Sequence, residues 1–596
     1  MKSHSTIFWF LLAMALAASI WALNTFFRPS AAGEPPVFAG LRAGQVTEIQ
    51  IVPGGAREIS VIRTNQAWLL QKPLVYPAQA ATIDGLLARL EKVTPALSFS
   101  AAEMSRHKDA DAEFGFDHPQ FTLDITAGDR AWHVLVGKQT APGDGVYLRI
   151  VGATGAVVTD PAWLQFLPLD ANGWRDTTLV DVPDTLDWLI ITNGTQALEL
   201  RRDLTNRLWR IIRPLQARAN NLRILMAVQQ LRSAHVSHFI NDDPKADLSS
   251  YGLDPAALDV WLGAGTNLLT AFHTGKEAAG APGETYARRE GWHAVLTTLK
   301  EPLAPWRGTV NDFRDTNFFE LTAPVAEIEV QGENKFTLQQ TGSNVWTVAG
   351  EKFPVDADEV NGFIRSLASL GIAHFVQDVV TASGLQNFGL STPTRQITLS
   401  SAVNDTNSVI ARLQFGGSTT NEIYAKCAGE EFVYALSLDA FNRLPMKSDY
   451  FRDPRVWSFS ENDVAQVTLR QGGRMLQLVR GGTNDWSLAA GSQGIINPPA
   501  VEETVHRLGQ LTVAGWLGRN YTPAQLGLNT NNLSISVQLK SGRECAVDFG
   551  ADIHSQTALA TVTLDGQPWA FVFPPTIYPL IRDYLSIPPP APATAP

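Results

Sequence analysis

Four Arg-Asp dipeptides are the residues of this chain whose types and spacing could do chemistry. They lie 139, 138 and 130 residues apart, at Arg175-Asp176, Arg314-Asp315, Arg452-Asp453 and Arg582-Asp583. A guanidinium beside a carboxylate could bind an anion or take part in catalysis. In a strand, however, neighbouring side chains point to opposite faces, so the two groups would not converge on one substrate. The repetition therefore favours a structural staple, with docking between repeats and an active site as the alternatives.

A glycine motif recurs in the same rhythm. Its copies begin 137, 137 and 138 residues apart, at Phe114-Gly115-Phe116-Asp117, Tyr251-Gly252-Leu253-Asp254, Phe388-Gly389-Leu390-Ser391 and Leu526-Gly527-Leu528-Asn529. A ligand loop is one interpretation, but the motif lacks the GxGxxG pattern that cradles phosphate. Glycine permits positive φ, and in three copies a proline follows and blocks a helix. We therefore predict a structural turn that marks one position in each of four repeats.

One tryptophan marks each repeat as well, at Trp68, Trp209, Trp346 and Trp486. Exposed rings at these positions could bind sugars or lipid. A ring on a strand at one fixed position per repeat is more naturally a core anchor, because each buries about 150–250 Å². We predict that the four rings are buried.

The sequence contains none of the common catalytic or metal-binding motifs. The chain has no GxSxG elbow, HExxH pair, Walker loop or EF-hand pattern. Its two cysteines, Cys427 and Cys545, lack zinc-ligand spacing, and whether they pair is left open. We therefore expect no catalytic, cofactor-binding or metal-binding residues, no cofactor and no enzymatic activity, although a dyad assembled from distant residues remains an alternative.

The charge of the chain argues against a nucleic-acid partner. The net charge is −11, and the densest basic cluster comprises Arg201, Arg202, Arg207, Arg210 and Arg213 on a predicted strand pair. Nucleic-acid binding needs a larger clustered basic surface to neutralise phosphates.

The elements around these markers predict an α+β fold. Short alternating segments such as Val46–Ile51 and Glu58–Arg63 predict antiparallel strands, and an apolar stripe at helical spacing follows in each repeat. Strands followed by a helix, without strict βαβ alternation, favour a mostly antiparallel sheet with a packed helix. The stripes begin at Ile83, Ile224, Val360 and Val501.

The N-terminal segment predicts a membrane anchor. Between Lys2 and Arg28 the chain has no charged residue apart from the two that bound it, and the stretch from Thr6 to Phe27 is largely apolar. About 20 such residues span a hydrocarbon core of about 30 Å. A cleaved signal peptide and a buried soluble helix are the alternatives. A single span would leave the rest of the chain on one side, which we expect to be extracytoplasmic.

Seven segments follow from these patterns. They are a transmembrane anchor (1–28), a linker (29–37), repeats one to four (38–181, 182–321, 322–459 and 460–587) and a disordered Pro/Ala-rich tail (588–596).

The landmarks in this order resemble a bacterial family described as domain of unknown function 4340. The resemblance rests on Trp68, the motif at Phe114-Gly115, Gly137, Val146-Tyr147 and Arg175-Asp176, with their counterparts in repeats two and three. Repeat four departs from it, with Leu526 in place of the aromatic residue and no matching tyrosine. The resemblance implies no activity and no site residues. It does imply associated proteins, since genes of this family often lie beside genes for ABC-type export and gliding-associated membrane components.

These patterns together predict a membrane-anchored scaffold or accessory subunit of an envelope complex, associated with an ABC transporter. It would be a single-pass protein of the bacterial inner membrane with most of its chain in the periplasm. Its partners would be the membrane, through the N-terminal helix, and other envelope proteins. The alternatives are a module that binds envelope polysaccharide or lipid through exposed aromatic rings, and an envelope hydrolase with a dispersed site.

Overall fold

The computed structural model describes residues 14, 35–65, 67–403, 406–492, 496–529, 532–553, 557–585 and 587. It contains four antiparallel sheets, one for each predicted repeat, and each sheet carries helices. The chain divides into two compact units, Met1–Arg314 and Asp315–Pro596. The first unit holds the sheets of repeats one and two, and the second holds those of repeats three and four.

Repeats one and two each form a nine-stranded sheet. The strands of repeat one are β1 Glu48–Pro53, β2 Ile59–Thr64, β3 Ala67–Lys72, β4 Tyr76–Pro77, β5 Leu97–Phe99, β6 Phe121–Ala127, β7 Arg130–Gln139, β8 Val146–Ile150 and β9 Ala156–Thr159. Their order in the sheet is β4-β3-β2-β1-β6-β7-β8-β9-β5, and repeat two has the same order. The strands of repeat two are β10 Trp188–Asn193, β11 Gln196–Arg202, β12 Trp209–Arg213, β13 Ala217–Arg218, β14 Val236–Asn241, β15 Leu258–Ala264, β16 Asn267–Glu277, β17 Glu284–Arg289 and β18 Val295–Leu299.

Repeats three and four each form an eight-stranded sheet in the same order without the short fourth strand. The strands of repeat three are β19 Glu327–Gly332, β20 Phe336–Gly342, β21 Val345–Val348, β22 Ile372–Gln377, β23 Arg395–Val403, β24 Thr406–Ser418, β25 Glu422–Cys427 and β26 Val433–Ser437. Those of repeat four are β27 Val464–Gln471, β28 Arg474–Gly482, β29 Asp485–Leu488, β30 Gly515–Gly518, β31 Ser534–Leu539, β32 Glu544–Ile553, β33 Thr557–Leu564 and β34 Gln567–Val572.

One long helix packs on each sheet. These helices are α1 Ala80–Leu90, α2 Asn221–Arg232, α3 Ala357–Ala368 and α4 Pro498–Gly509. The predicted stripes are buried in all four, beginning with Ile83, Ile224, Val360 and Val501. Side chains of Asn220, Asp356 and Asn497 accept hydrogen bonds from the first turns of α2, α3 and α4, which satisfies amide groups that a helix start leaves unpaired.

Short helices connect the remaining strands. The α-helical ones are Ala101–Met104, Ala110–Phe114, Val310–Phe313, Gly384–Asn387, Leu438–Asn442 and Tyr578–Tyr584. The 3-10 helices are Ala43–Gln45, Pro161–Phe166, Ala171–Trp174, Leu248–Tyr251, Glu301–Arg307, Ser448–Phe451 and Glu461–Asp463.

The α+β repeat architecture predicted from the sequence is confirmed, whereas the predicted N-terminal anchor lies outside the described residues. Within the part of the chain that the structure describes, no helix is long and apolar enough to cross a membrane. The predicted tail at 588–596 also lies outside that part. The anchor and the tail therefore stay predictions.

The glycine motif proves to be one half of a backbone interlock. Gly115 has φ +81°, and its counterparts Gly252, Gly389 and Gly527 have φ between +65° and +68°. A second glycine, at Gly137 in repeat one, lies against the motif, because a Cβ there would stand 2.1 Å from the carbonyl oxygen of Phe114. The same approach recurs in the other repeats at 2.1, 2.3 and 2.0 Å. The structural interpretation of the motif is confirmed.

An aromatic pair covers this interlock in three repeats. The ring of Tyr147 stacks on Phe114 with 4.6 Å between centroids. Tyr251–Tyr286 and Phe388–Tyr424 meet edge to face at 5.0 Å. Repeat four replaces the first member by Leu526 and has no matching tyrosine, so both partners are lost together.

Gly137→Ala is expected to destabilise the first unit by about 1–3 kcal/mol, because the added Cβ overlaps the Phe114 carbonyl in a packed interior. Differential scanning calorimetry of the full chain would measure this as a lowered transition temperature. Gly44→Ala is the matched control in the same repeat, where a Cβ meets nothing within 4 Å. An equal effect of the two substitutions would contradict the interlock.

Candidate functional site: the repeat junctions

The first Arg-Asp pair lies in the segment that connects repeat one to repeat two. Arg175 forms a β-bridge with Ala78 next to β4, and Thr178 forms one with His235 just before β14. The amide of Leu179 donates to the Ala234 carbonyl at 3.0 Å. The connecting segment is therefore hydrogen-bonded to both repeats.

The side chain of Arg175 is buried in this junction, with 1% of the residue exposed. Its Nη1 and Nη2 donate to the two carboxylate oxygens of Asp242 at 3.0 and 2.8 Å. The guanidinium carbon lies 3.6 Å from the ring centroid of Phe239 and 4.3 Å from that of Tyr76. Bidentate pairing and aromatic faces are the two environments that best compensate a buried guanidinium. Tyr76 comes from repeat one, whereas Phe239 and Asp242 come from repeat two.

Asp176 extends the junction outward. It accepts from Arg289 of β17 at 3.2 Å, and the same guanidinium lies 3.4 Å from the Tyr76 hydroxyl. The Tyr76 ring packs edge to face on Phe239, with 5.4 Å between centroids, and lies 5.3 Å from Trp292. Burial raises the pKa of Tyr76, so its hydroxyl stays protonated at neutral pH. The junction thus combines two ion pairs around one aromatic cluster.

Within the second unit, Arg452-Asp453 holds the equivalent place between repeats three and four. Arg452 forms a β-bridge with Val355, and its guanidinium lies 4.2 Å from the ring centroid of Trp569. The rings of Trp516 and Phe353 are at 5.3 and 5.6 Å. Burial lowers the pKa of Arg452.

The charges of this second junction are arranged differently from those of the first. Counting from the aromatic residue of the strand after the long helix, Arg519 takes the position of Asp242. Arg519 pairs with Glu351 at 2.9 and 2.7 Å and with Asp449 at 2.9 Å. The nearest carboxylate to Arg452 is Asp565, at 3.7 Å.

The other two Arg-Asp pairs have different surroundings. Arg314 is 1% exposed, bridges Ala219 and donates to the Asn311 side chain at 3.3 Å. The prediction of one common staple is wrong for Arg582-Asp583. That pair lies on the helix Tyr578–Tyr584, where the two exposed side chains contact each other at 2.9 Å. A helix cannot form the β-bridges that link the other pairs, and the shorter spacing of 130 residues reflects this different position.

The repeated tryptophans are buried, as predicted, with 2–7% of each residue exposed. In repeat one, the indole of Trp68 donates to Asp84 of α1 at 3.0 Å, and Arg63 pairs with the same carboxylate at 2.5 Å. Repeat four has the same Arg-carboxylate-Trp triad, formed by Arg480, Glu502 of α4 and Trp486. These rings therefore offer no face to a sugar or a lipid.

A cleft in repeat four has a volume of about 750 Å³. Its polar lining includes Arg470, Arg474, Asn532 and a single carboxylate, Asp548, whose pKa is raised by burial. A hydrolase site of the glycosidase type needs two carboxylates. The described residues of this lining include neither a second carboxylate nor a histidine.

Histidine and cysteine give no further catalytic arrangement in the described ranges. His273 lies between Asp259 and Glu290, at 2.5 and 2.9 Å, and these two contacts bring no nucleophile to the ring. Neither Cys427 nor Cys545 forms a disulfide bond. Among the described residues there is no group of three or more His, Cys, Asp or Glu that could hold a metal ion.

Sequence reasoning identified Arg175 and Asp176 but not their partners Tyr76, Phe239 and Asp242. An available signal was overlooked: an aromatic residue recurs in the strand after each long helix, at Phe99, Phe239, Phe375 and Trp516. The pairing itself joins residues 67 apart, which no local pattern predicts.

Comparison with family models supports this organisation. The model described as domain of unknown function (DUF4340) matches residues 68–206, 209–351 and 346–531. The three matches start at Trp68, Trp209 and Trp346, and each runs across one Arg-Asp pair into the next repeat. The recurring sequence unit therefore includes the junction. The comparisons with curated proteins and with solved structures gave no match.

Asp242→Ala is expected to destabilise the first unit by about 3 kcal/mol, because it leaves the buried guanidinium of Arg175 without its carboxylate. Urea unfolding followed by hydrogen exchange in the first unit would measure it. The double variant Arg175→Met/Asp242→Ala should lose less than the sum of the two single variants, since the two side chains act as a pair.

Asp184→Ala is the matched control, because Asp184 pairs with Arg232 on the surface and 94% of its side chain is exposed. It should cost less than about 1 kcal/mol. Additive single losses at 175 and 242 would contradict the coupling.

Proposed function

The chain belongs to the family described as domain of unknown function (DUF4340), and on that premise we propose that it acts by contact rather than by catalysis. It is a membrane-anchored, extracytoplasmic scaffold or accessory subunit of an envelope complex, associated with an ABC transporter.

The observation that carries this proposal is that the repeated residues have structural roles. The tryptophans anchor cores, the glycines interlock the backbone, and Arg175 and Arg452 couple consecutive repeats within their units. Each recurring residue type thus has a structural partner, and none converges with others on a reaction centre. Other repeat proteins use recurring structural units of this kind as binding scaffolds.

The membrane part of the proposal rests on the sequence. The uncharged segment from Thr6 to Phe27 has the length of a single span, and no second one is predicted in the following chain. The periplasmic placement and the transporter association rest on this single-span pattern and on the family resemblance.

The two alternatives have less support. Binding of polysaccharide or lipid was tied to exposed tryptophans, and the four repeated rings are buried. A dispersed hydrolase site requires paired carboxylates or a His–nucleophile contact in one cleft. The described lining of the repeat-four cleft has one carboxylate, and the two in the cleft between repeats three and four, Glu351 and Asp565, lie against Arg519 and Arg452.

Chemical crosslinking of the full chain in native membranes, followed by purification and mass spectrometry, tests the proposal. A discrete complex with envelope proteins at fixed stoichiometry is expected. Recovery of the uncrosslinked monomer alone, from membranes where a known complex crosslinks well, would contradict it.

Removal of residues 6–27 is expected to release the chain from the membrane pellet, because the apolar segment supplies the anchoring free energy. Protease added to intact spheroplasts should degrade the repeats of the full-length protein, since they lie outside the cytoplasm. Protection from that protease would contradict the proposed orientation, and unchanged pelleting of the shortened chain would contradict the anchor.

A further inference from the structure

The helix of repeat two carries an apolar face on its outer side. Leu222, Leu225 and Met226 of α2 are 66%, 64% and 59% exposed. They stand at i, i+3 and i+4, so their side chains form one patch on the helix surface. The inner side of α2 is already filled by Ile224, Ala227, Val228 and Leu231, which pack on the sheet. We name these three residues the α2 outer face.

The other repeats provide an internal comparison, because their helices are aligned by the first buried residue. The three outer positions hold Ala81, Asp84 and Gly85 in α1; Asp358, Asn361 and Gly362 in α3; and Pro499, Glu502 and Glu503 in α4. None of the three other repeats has a large apolar residue there. The α2 outer face is therefore a property of repeat two and not a requirement of the fold.

One of these differences removes a stabilising contact. In repeats one and four the central position is the carboxylate of the Arg-carboxylate-Trp triad, Asp84 or Glu502. Repeat two keeps the arginine and the tryptophan, as Arg202 and Trp209, which face each other across β11 and β12. It has Leu225 where the carboxylate would be. Repeat two thus forgoes an ion pair and exposes a leucine instead.

The net charge of the segment that contains this face also differs from that of the corresponding segments in the other repeats. From the second strand to the end of the long helix, repeat two (196–232) has eight arginines against Glu199 and Asp203, a net charge of +6. The corresponding stretches 59–90, 336–368 and 474–509 have net charges of +2, −2 and 0. The strongly basic segment belongs to a chain whose total charge is −11.

The hairpin tip between β11 and β12 brings basic charge towards the α2 outer face. In repeat three the tip residue Asn344 contacts Asn361 of α3 at 3.1 Å, at the position equivalent to Leu225. Arg207 is the counterpart of Asn344, because each has a positive φ and stands two residues before the repeated tryptophan. The same loop carries Leu204, which is 80% exposed. Arg202 and Arg207 flank that leucine, and the Arg202 Nε donates to the Arg207 carbonyl at 2.9 Å.

We propose that the α2 outer face docks an acidic amphipathic helix of a partner protein. Apolar anchors at i, i+3 and i+4 fit the leucine ridge of such a helix, and the flanking arginines fit its Asp and Glu side chains. The inference rests on the proposed scaffold function and names the surface and the partner chemistry that the function requires.

Charge and composition favour this occupant over two others. A second copy of the chain would bring two arginine-rich segments together, which like-charge repulsion opposes. Helices that lie on membrane surfaces have a broad apolar side of Trp, Phe or Leu and a polar side with Lys or Arg. The outer face of α2 has three apolar residues and no aromatic one, because the other apolar side of this helix packs on the sheet.

Fluorescence anisotropy with the detergent-solubilised full chain tests the proposal. The probe is a labelled 18-residue helical peptide with leucines at i, i+3, i+4 and i+7 and glutamates elsewhere, and a second peptide replaces the glutamates by lysines. The acidic peptide should bind at least about tenfold more tightly than the basic one, and its binding should weaken as salt rises.

The triple variant Leu222→Asp, Leu225→Glu and Met226→Glu should weaken binding of the acidic peptide by at least about tenfold. Its new residues are those that repeats three and four carry at the same positions, so folding is expected to persist, with a melting temperature no lower than that of the wild type. The matched control is Leu97→Glu/Leu169→Glu, which alters two leucines of repeat one that are 60% and 76% exposed. The control should bind as the wild type does.

Three results would overturn the proposal. The first is equal binding of the acidic peptide by the wild type and the triple variant, or equal binding of the two peptides. The second is binding to phosphatidylglycerol vesicles, but not to phosphatidylcholine vesicles, that the triple variant loses. The third is a wild-type dimer in sedimentation that the triple variant lacks. Each leaves the crosslinked envelope complex untouched, so failure of this surface and failure of the scaffold function are distinguishable.

Discussion

The buried guanidinium of Arg175 is the constraint on which the first unit depends. Taking a charged group out of water costs several kcal/mol unless carboxylates and hydrogen bonds compensate it. Here the compensation comes from both repeats: Asp242 and Phe239 belong to repeat two, and Tyr76 belongs to repeat one. Neither repeat alone satisfies the guanidinium, so separation of the two would expose an incomplete cluster. The interaction therefore turns two sheets with separate cores into one compact unit.

The junction in the second unit also compensates a buried arginine, but with a different arrangement of charged residues. Arg452 is held mainly by tryptophan faces, and the position of Asp242 is taken by Arg519, which pairs with Glu351. In both junctions an arginine is buried among aromatic rings, and the charges are balanced. The residues that form the ion pairs differ. This explains why the Arg-Asp dipeptide is visible as a sequence repeat while its partners are not.

Much of the fold followed from the sequence because its causes are local or periodic. The helix stripes, the tryptophan strands and the glycine turns each depend on a few neighbouring residues, and all were placed correctly. The junction partners depend on contacts between residues 67 or more apart, such as Arg175–Asp242, and were missed. Arg582-Asp583 matched the pattern but lies on a helix, because a dipeptide match carries no information on backbone conformation.

The repeats also serve as controls for one another. A residue type that recurs at one position is explained by the fold, as the buried tryptophans are. A residue that departs from its counterparts, as Leu225 departs from Asp84 and Glu502, needs another explanation. The residues that recur in the repeats have structural roles, whereas the α2 outer face occurs in repeat two alone. The scaffold proposal thus rests on residues that recur in the repeats, and the docking surface rests on residues that differ between them.

Hydrogen exchange of the full chain, resolved to single amides, tests the central claim that repeats one and two form one coupled body. The amides of Leu179 and Val236 bond across the connecting segment, to Ala234 and Thr177. The account predicts that they exchange as slowly as amides inside the two sheets. Exchange as fast as that of exposed loops, while both sheets stay protected, would show independently moving repeats and contradict it.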